Sequence, residues 1–330
     1  MFHFSLAFLI IFANVTVSVA LRFMKTAKKT TLVFLADLAI SNLVQGIVFL
    51  IKAIFYIWGK NTTQGCILLV LISMASTGTY MTGIFFVYLD LYLSLKKMSV
   101  GKAIISARFA VQMVVLSWFV WIGIGTIAYG MLNKNYVYRQ EIGCSFTNGA
   151  VTKEYILLVS LIFVVGITVI MMFHALTYRL IKQARTQDQQ SEEPNSRRSG
   201  KITVVSTQGL ATSQKMKVET RRSKWLKKND AILKMIILVL IMFVVCWYPL
   251  VIITMVLAYC TPCSVYITKE VVYFLYILIV LQYNSNGIIY LIKIREFQNV
   301  CKNLCCKCCP WHRRVAAIDT EFSATTSCHE

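Results

Sequence analysis

The chain has 330 residues, of which 57% are hydrophobic and only 15% are charged. A soluble protein of this length could not bury so much apolar surface, so the composition indicates a membrane protein. The net charge of +20 does not indicate nucleic-acid binding, because most of the basic residues fall between long apolar runs on one side of the predicted membrane.

Apolar runs long enough to cross a bilayer recur along the whole chain. A transmembrane helix needs about 20 apolar residues, and no ten-residue alternating pattern of a membrane β-barrel is seen. The first run could also be a signal peptide, but it lacks a basic start and is too long, which favours a span. We predict an all-α bundle of seven transmembrane helices, at 2–22, 31–56, 63–96, 104–131, 153–183, 230–259 and 267–292.

The distribution of positive charge predicts the orientation of these helices. With seven spans, the segments 22–29, 96–108 and 179–234 and the C-terminal tail share one side, which holds 28 of the 34 Lys and Arg residues. Basic residues mark the cytoplasmic side. We therefore expect a multi-pass plasma-membrane protein with its N-terminus outside and its C-terminus in the cytoplasm.

Two cytoplasmic segments differ from the rest of the chain. The third inner loop, about 187–228, is polar and poor in aromatic residues, so we predict that it is mostly disordered. After the seven-helix domain of 1–292, the tail 293–330 begins with a short amphipathic pattern. Its apolar residues follow helical spacing and predict an eighth helix on the membrane surface, in contact with lipid: Ile294, Phe297, Val300, Cys301 and Leu304.

The cysteines divide by compartment. Cys66 and Cys144 fall outside, where a disulfide between them is allowed, and Cys260 and Cys263 share the third outer loop and could close a second one. Four others lie beside the surface helix, and we read them as palmitoylation sites in preference to a zinc site, whose paired ligands are usually spaced further apart. They are Cys305, Cys306, Cys308 and Cys309.

Several short motifs resemble those of rhodopsin-like (class A) G-protein-coupled receptors. "LADLA" at 35–39 resembles the second-helix motif, with Asp37 as its buried acid, and "CWYP" at 246–249 resembles the sixth-helix motif. In the latter, Trp247 would be the toggle and Pro249 the kink. "NGIIY" at 286–290 resembles the seventh-helix Asn-Pro-x-x-Tyr, with Gly287 for the proline. In that motif the matching residues are Asn286 and Tyr290, and the resemblance also includes Asn14, Trp118 and Phe297.

The third-helix signature is altered at its central residue. "DLY" at 90–92 begins 24 residues after Cys66, where the family has Asp-Arg-Tyr. In the family this arginine contacts the G protein in the active state and acidic neighbours in the resting state. Leu91 can do neither, so the resemblance implies that Asp90, Leu91 and Tyr92 form an altered activation switch with weak G-protein coupling. Another departure is Tyr80, expected to fill the sodium cavity beside Asp37.

The positions that resemble the family's ligand pocket are uncharged. Ser73 stands where amine receptors have an aspartate, so a cationic amine has no counter-ion there. "CSFTNGAVTKEY" at 144–155 and "IREFQ" at 294–298 are most similar to adenosine receptors, but Thr254 replaces the asparagine that would hold the purine. The candidate pocket residues are Ser73, Met74, Phe146, Trp247, Val251, Thr254 and Tyr276.

Three functions are compatible with this pattern to different degrees. The first is a receptor for an extracellular small molecule, signalling to a heterotrimeric G protein, arrestin or both. The second is a receptor-like protein with little G-protein output, such as a decoy, an arrestin-only receptor or a dimer partner. A channel or transporter would show more charged residues at midplane. We expect no enzymatic activity, cofactor or metal site, since no nucleophile–base pair or metal motif is present.

Overall fold

The computed structural model describes residues 2–24, 28–58, 63–96, 105–130, 152–192, 208–260 and 269–308. Within these ranges every regular element is an α-helix, which confirms the predicted all-α class. The helices are α1 Phe2–Phe23, α2 Lys29–Trp58, α3 Thr63–Lys96, α4 Ala107–Gly130, α5 Lys153–Glu192, α6 Gln208–Tyr259, α7 Lys269–Lys293 and α8 Arg295–Cys308.

Most of these helices can cross a membrane. Among the described residues, α1 to α6 are each long and apolar enough, and a seventh crossing is obtained when α7 and α8 are taken together across their bend of 103°. The sharp bend after α7 separates the span from a short, strongly amphipathic helix, as the pattern around Phe297 predicts.

The third inner loop is shorter than its composition suggested. Helix α5 continues to Glu192, and α6 begins at Gln208, so much of the segment predicted to be disordered is helical. The reason lies in its residues, since Lys, Arg, Gln, Met and Ala are good helix formers. Pro194 stands two residues after the end of α5, where a proline would stop the helix. Residues 193–207 lie outside the described ranges.

Helix α3 is the centre of the bundle. It packs against α2, α4, α5 and α6, while α7 contacts α1, α2, α6 and α8. A glycine permits one of these contacts: a Cβ on Gly78 would lie 2.1 Å from the Trp121 ring of α4. Trp121 can therefore lie against the backbone of α3, and its Nε1 donates to Thr82 Oγ1 at 2.8 Å.

Candidate functional site

Two disulfide-bonded cysteines mark the same end of the bundle. Cys66 is buried near the start of α3, and Cys260 directly follows α6; each takes part in a disulfide. The expected partners, Cys144 and Cys263, lie outside the described residues, so both pairings stay predictions. Disulfides persist in oxidising compartments, and this end of the bundle is the one that the charge pattern assigns to the exterior.

Below this end, Ser73 is bonded to a glutamine that sequence reasoning missed. Ser73 Oγ donates to Gln45 Oε1 at 2.8 Å, and Gln45 Nε2 donates to the Ser73 carbonyl oxygen at 2.6 Å and to Thr77 Oγ1 at 2.9 Å. These bonds join α2 to α3. The Ser73 hydroxyl is therefore used within the protein, and this wall of the candidate pocket offers a ligand little polar contact.

The predicted toggle, Trp247, lies in an aromatic cluster. Its ring centre is 5.7 Å from Phe163 of α5, 6.1 Å from Phe243 and 6.4 Å from Tyr283 of α7. Its Nε1 donates to Gln282 Oε1 at 3.3 Å. Pro249 lies inside α6 two residues later, as expected for a kink. Trp247 therefore couples α5, α6 and α7, and a ligand that moves its ring would affect all three helices.

The remaining pocket candidates are mostly apolar or internally satisfied. Met74 and Val251 are partly buried against the core. Thr254 is buried, and its Oγ1 donates to the Leu250 carbonyl oxygen at 2.7 Å. Phe146 lies outside the described residues, and of Tyr276 the structure describes only its position in α7. The described part of this site thus suits an apolar ligand body.

A cluster of amides lies deeper, between α1, α2, α3 and α7. Asn14 Nδ2 and Asn42 Nδ2 both donate to the carbonyl oxygen of Tyr283, at 3.0 Å and 3.2 Å. One turn further along α7, Asn286 Oδ1 accepts a bond of 2.8 Å from the Tyr80 hydroxyl. All of these bonds join different helices, so the cluster ties α7 to α1, α2 and α3.

Asp37 lies on another side of α2, which corrects the sequence-based assignment. Its Oδ1 accepts a bond of 3.0 Å from Trp118 Nε1 of α4. Asp37 and Asn42 are five residues apart, which turns their side chains about 140° from each other on an α-helix. Asn42 therefore occupies the place in the amide cluster that the resemblance gave to Asp37, and Tyr80 contacts Asn286 instead of filling a cavity beside Asp37.

At the inner end of α3, hydroxyl groups bind the acid of the altered signature. Asp90 is buried, and its Oδ2 accepts a bond of 2.9 Å from Thr31 Oγ1. Thr30 Oγ1 lies 3.3 Å from both carboxylate oxygens. Leu91 is only 4% exposed and belongs to the hydrophobic core. The start of α2 thus supplies the donors that Asp90 would otherwise take from an arginine.

The other predicted switch residues make aromatic contacts. Tyr92 packs edge-on against Phe173 of α5, with ring centres 5.7 Å apart, and Lys96 Nζ lies 6.0 Å from the Tyr92 ring. Tyr290, fully buried in α7, packs edge-on against Phe297 of α8 at 5.8 Å. The contact between Tyr290 and Phe297 fixes the surface helix beneath the end of α7.

The ion pairs between described side chains lie at the inner ends of α5 and α6. Asp230 Oδ2 is 2.5 Å from Arg185 Nη2 of α5 and 3.0 Å from Lys234 Nζ of its own helix. Beside Arg185, an open groove of about 630 Å³ is lined on α5 by Arg179, Lys182, Gln183 and Thr186. Two of these four residues are basic, as expected for the side that the charge pattern assigns to the cytoplasm.

The predicted palmitoylation sites are only partly covered by the structure. Cys305, Cys306 and Cys308 belong to α8, and Cys309 lies outside the described residues. Acylation of these cysteines stays a prediction.

The fold and these contacts define a seven-helix membrane receptor with a surface helix. Residues 13–290 match the model of the seven-transmembrane receptor (rhodopsin) family, and the chain belongs to that family. No curated protein matches it. Members of the rhodopsin family are multi-pass plasma-membrane receptors and not enzymes. In general they respond to extracellular ligands and couple to G proteins or arrestins.

Proposed function

We propose that the protein senses an extracellular small molecule and transmits the signal only weakly to heterotrimeric G proteins, with arrestin as an alternative transducer. The observation that carries this proposal is the inner end of α3. Leu91 is buried, and Asp90 is bonded by Thr30 and Thr31. Helix α3 therefore presents no cation where the family uses a guanidinium. The same observation favours the second candidate, a receptor-like protein with little G-protein output.

The proposed orientation places the N-terminus outside and the C-terminus in the cytoplasm. Two independent features support it. Cys66 and Cys260 are disulfide-bonded at one end of the bundle, while the basic groove beside Arg179 lies at the other end. Oxidising conditions for the first and the positive-inside rule for the second give the same orientation.

We propose that the protein is related to adenosine receptors but does not recognise a purine. Thr254 stands where adenosine receptors have the asparagine that binds the purine, and the Thr254 hydroxyl donates to the Leu250 carbonyl oxygen at 2.7 Å. A hydroxyl held in its own helix is a poor substitute for an amide that both donates and accepts. The described pocket residues favour an apolar ligand body.

The experiment that tests weak coupling compares the wild type with Leu91→Arg. An arginine makes charge-assisted hydrogen bonds of about 1.5–3 kcal/mol each, so we expect agonist-free nucleotide exchange on purified G protein to rise about ten- to a hundredfold. Leu95→Arg, one turn further along α3 and also buried, is the matched control for an added charge. Robust exchange by the wild type, unchanged in Leu91→Arg at equal expression, would contradict the proposal.

A further inference from the structure

A lysine lies within the outer part of α2, inside the second predicted span of 31–56. Lys52 precedes the end of α2 at Trp58 by about 9 Å along the helix axis. Its side chain is partly buried, and its Nζ lies 6.0 Å from the centre of the Phe49 ring. A cation at this depth is costly, and such residues usually face the bundle interior and pair with an ion or a ligand.

Helical spacing shows which way Lys52 faces. Gln45, Phe49 and Lys52 lie at i, i+4 and i+7, so they share one side of α2. Gln45 is bonded to Ser73 of α3, and the Phe49 ring centre is 5.8 Å from Tyr283 of α7. This side of α2 therefore faces the space between α3 and α7. Lys52 stands about 10 Å outward of Gln45, on the side from which a ligand would enter.

Among the side chains that the structure describes, none forms an ion pair with Lys52. The buried acid Asp37 is bonded by Trp118, and Asp90 by Thr30 and Thr31. Asp230 pairs with Arg185 at the opposite end of the bundle. Lys52 is thus a cation within the outer half of the bundle with no ion pair among the described side chains.

We propose that Lys52 binds the carboxylate of an anionic amphiphile, whose apolar body extends towards Trp247. The inference rests on the proposed small-molecule receptor function and names the ligand class. A single cation matches a single negative charge better than a phosphate dianion. Below Lys52, the contact between Phe49 and Tyr283 continues to Trp247, whose ring centre is 6.4 Å from that of Tyr283. The rings of Phe49, Tyr283 and Trp247 therefore offer aromatic surface along which the chain of a ligand anchored at Lys52 would pack.

Three matched probes test the assignment on the full chain in nanodiscs. They are dansyl-labelled undecanoic acid, its methyl ester and dansyl-labelled undecylamine, with empty nanodiscs subtracted. We expect the wild type to bind the acid about ten- to a hundredfold more tightly than the ester, as for one charge-assisted hydrogen bond. Lys52→Gln should remove that difference, and Lys52→Arg should keep it. Lys153→Gln, which removes an exposed charge at the outer end of α5, is the control and should change the preference less than twofold.

The outcomes separate the two proposals. Equal affinity of the wild type for acid, ester and amine would overturn the role of Lys52 while leaving a small-molecule pocket in place. So would an equal loss in Lys52→Gln and Lys153→Gln, since the preference would then reflect surface charge. If none of the three probes binds saturably to the wild type, the ligand class is refuted, whereas the small-molecule receptor function, which covers other ligand chemistries, is not.

Discussion

The bonds between α2 and Asp90 should contribute measurably to the stability of the receptor. Thr31→Val keeps the shape of the side chain and removes the hydroxyl that donates to Asp90 at 2.9 Å. Thr30 then remains as a donor at 3.3 Å, shared between both carboxylate oxygens. A hydrogen bond to a charged group contributes about 1.5–3 kcal/mol, and the acceptor left behind is buried. We expect the free energy of unfolding to fall by about that amount.

The measurement is denaturant unfolding of the purified protein in detergent, followed with a thiol-reactive dye. Cys246 is a free and buried thiol, so its labelling reports opening of the bundle in a background in which the cysteines from Cys301 onward are replaced by serine. Thr168→Val is the matched control, because Thr168 is exposed on α5 and donates only to a carbonyl oxygen of its own helix. Its effect should stay within about 0.5 kcal/mol, as for most surface substitutions.

A double-mutant cycle identifies the cause of the loss. In a Leu91→Arg background, a guanidinium beside Asp90 offers an alternative donor, so Thr31→Val should cost at least about 1 kcal/mol less than in the wild type. If Thr31→Val destabilises no more than Thr168→Val, the hydroxyl does not support Asp90. If the cost is unchanged by Leu91→Arg, the hydroxyl does not replace the arginine.

Three further predictions concern packing, ions and acylation. Gly78→Ala places a methyl group 2.1 Å from the Trp121 ring and should destabilise by about 1–3 kcal/mol in the same assay, whereas Gly123→Ala, with open space, should not. Because Asn42 carries no charge, we expect the same melting temperature in sodium chloride and in N-methylglucamine chloride, and a sodium-dependent rise in the wild type would contradict this. A sodium-dependent rise that appears only in the double variant Asn42→Asp with Tyr80→Ser would support it. Acyl-exchange labelling should fall when the four tail cysteines are replaced by serine: Cys305, Cys306, Cys308 and Cys309. An unchanged signal would exclude palmitoylation at these positions.

The helices could be predicted from the sequence, but the register of one motif could not. The length of an apolar run that spans a membrane is set by the thickness of the bilayer. Helix α3 was therefore predicted at the same residues that the structure gives. The second helix contains both Asp37 and Asn42, and either could be aligned with the family's buried acid. Only their hydrogen-bond partners decide which residue takes that place. Asp37 accepts a bond from Trp118, whereas Asn42 donates to the Tyr283 carbonyl oxygen within the amide cluster.

Polar partners from distant parts of the chain were also beyond sequence reasoning. Gln45 and Gln282 are isolated amides within apolar runs, a signal that could have marked them as interhelical bonds. Thr30 and Thr31 gave no such signal, because threonine at the start of a helix is common and Asp90 lies 59 residues after Thr31. Lys52 falls within the second predicted span, 31–56, and only the structure, in which α2 continues to Trp58, shows how far it lies from the helix end.

The described polar contacts divide the inner half of the bundle into two pairs of helices. Helix α3 is bound to α2, through Asp90 and through Lys28 Nζ, which donates to Ser94 Oγ at 2.6 Å. Helix α6 is bound to α5, through Asp230 and Arg185. In the family, the arginine that Leu91 replaces pairs with acidic neighbours at rest.

Here, within the described residues, no ion pair joins α3 to α6, so moving α6 away from α3 is opposed mainly by apolar packing. Moving α6 alone would also break the ion pair between Asp230 and Arg185. Because the Arg185 side chain is 49% exposed, this pair contributes only about 0.2–1 kcal/mol. When α5 and α6 move together, the pair between Asp230 and Arg185 stays intact. The described contacts therefore favour a joint displacement of α5 and α6 relative to α3, which stays tied to α2.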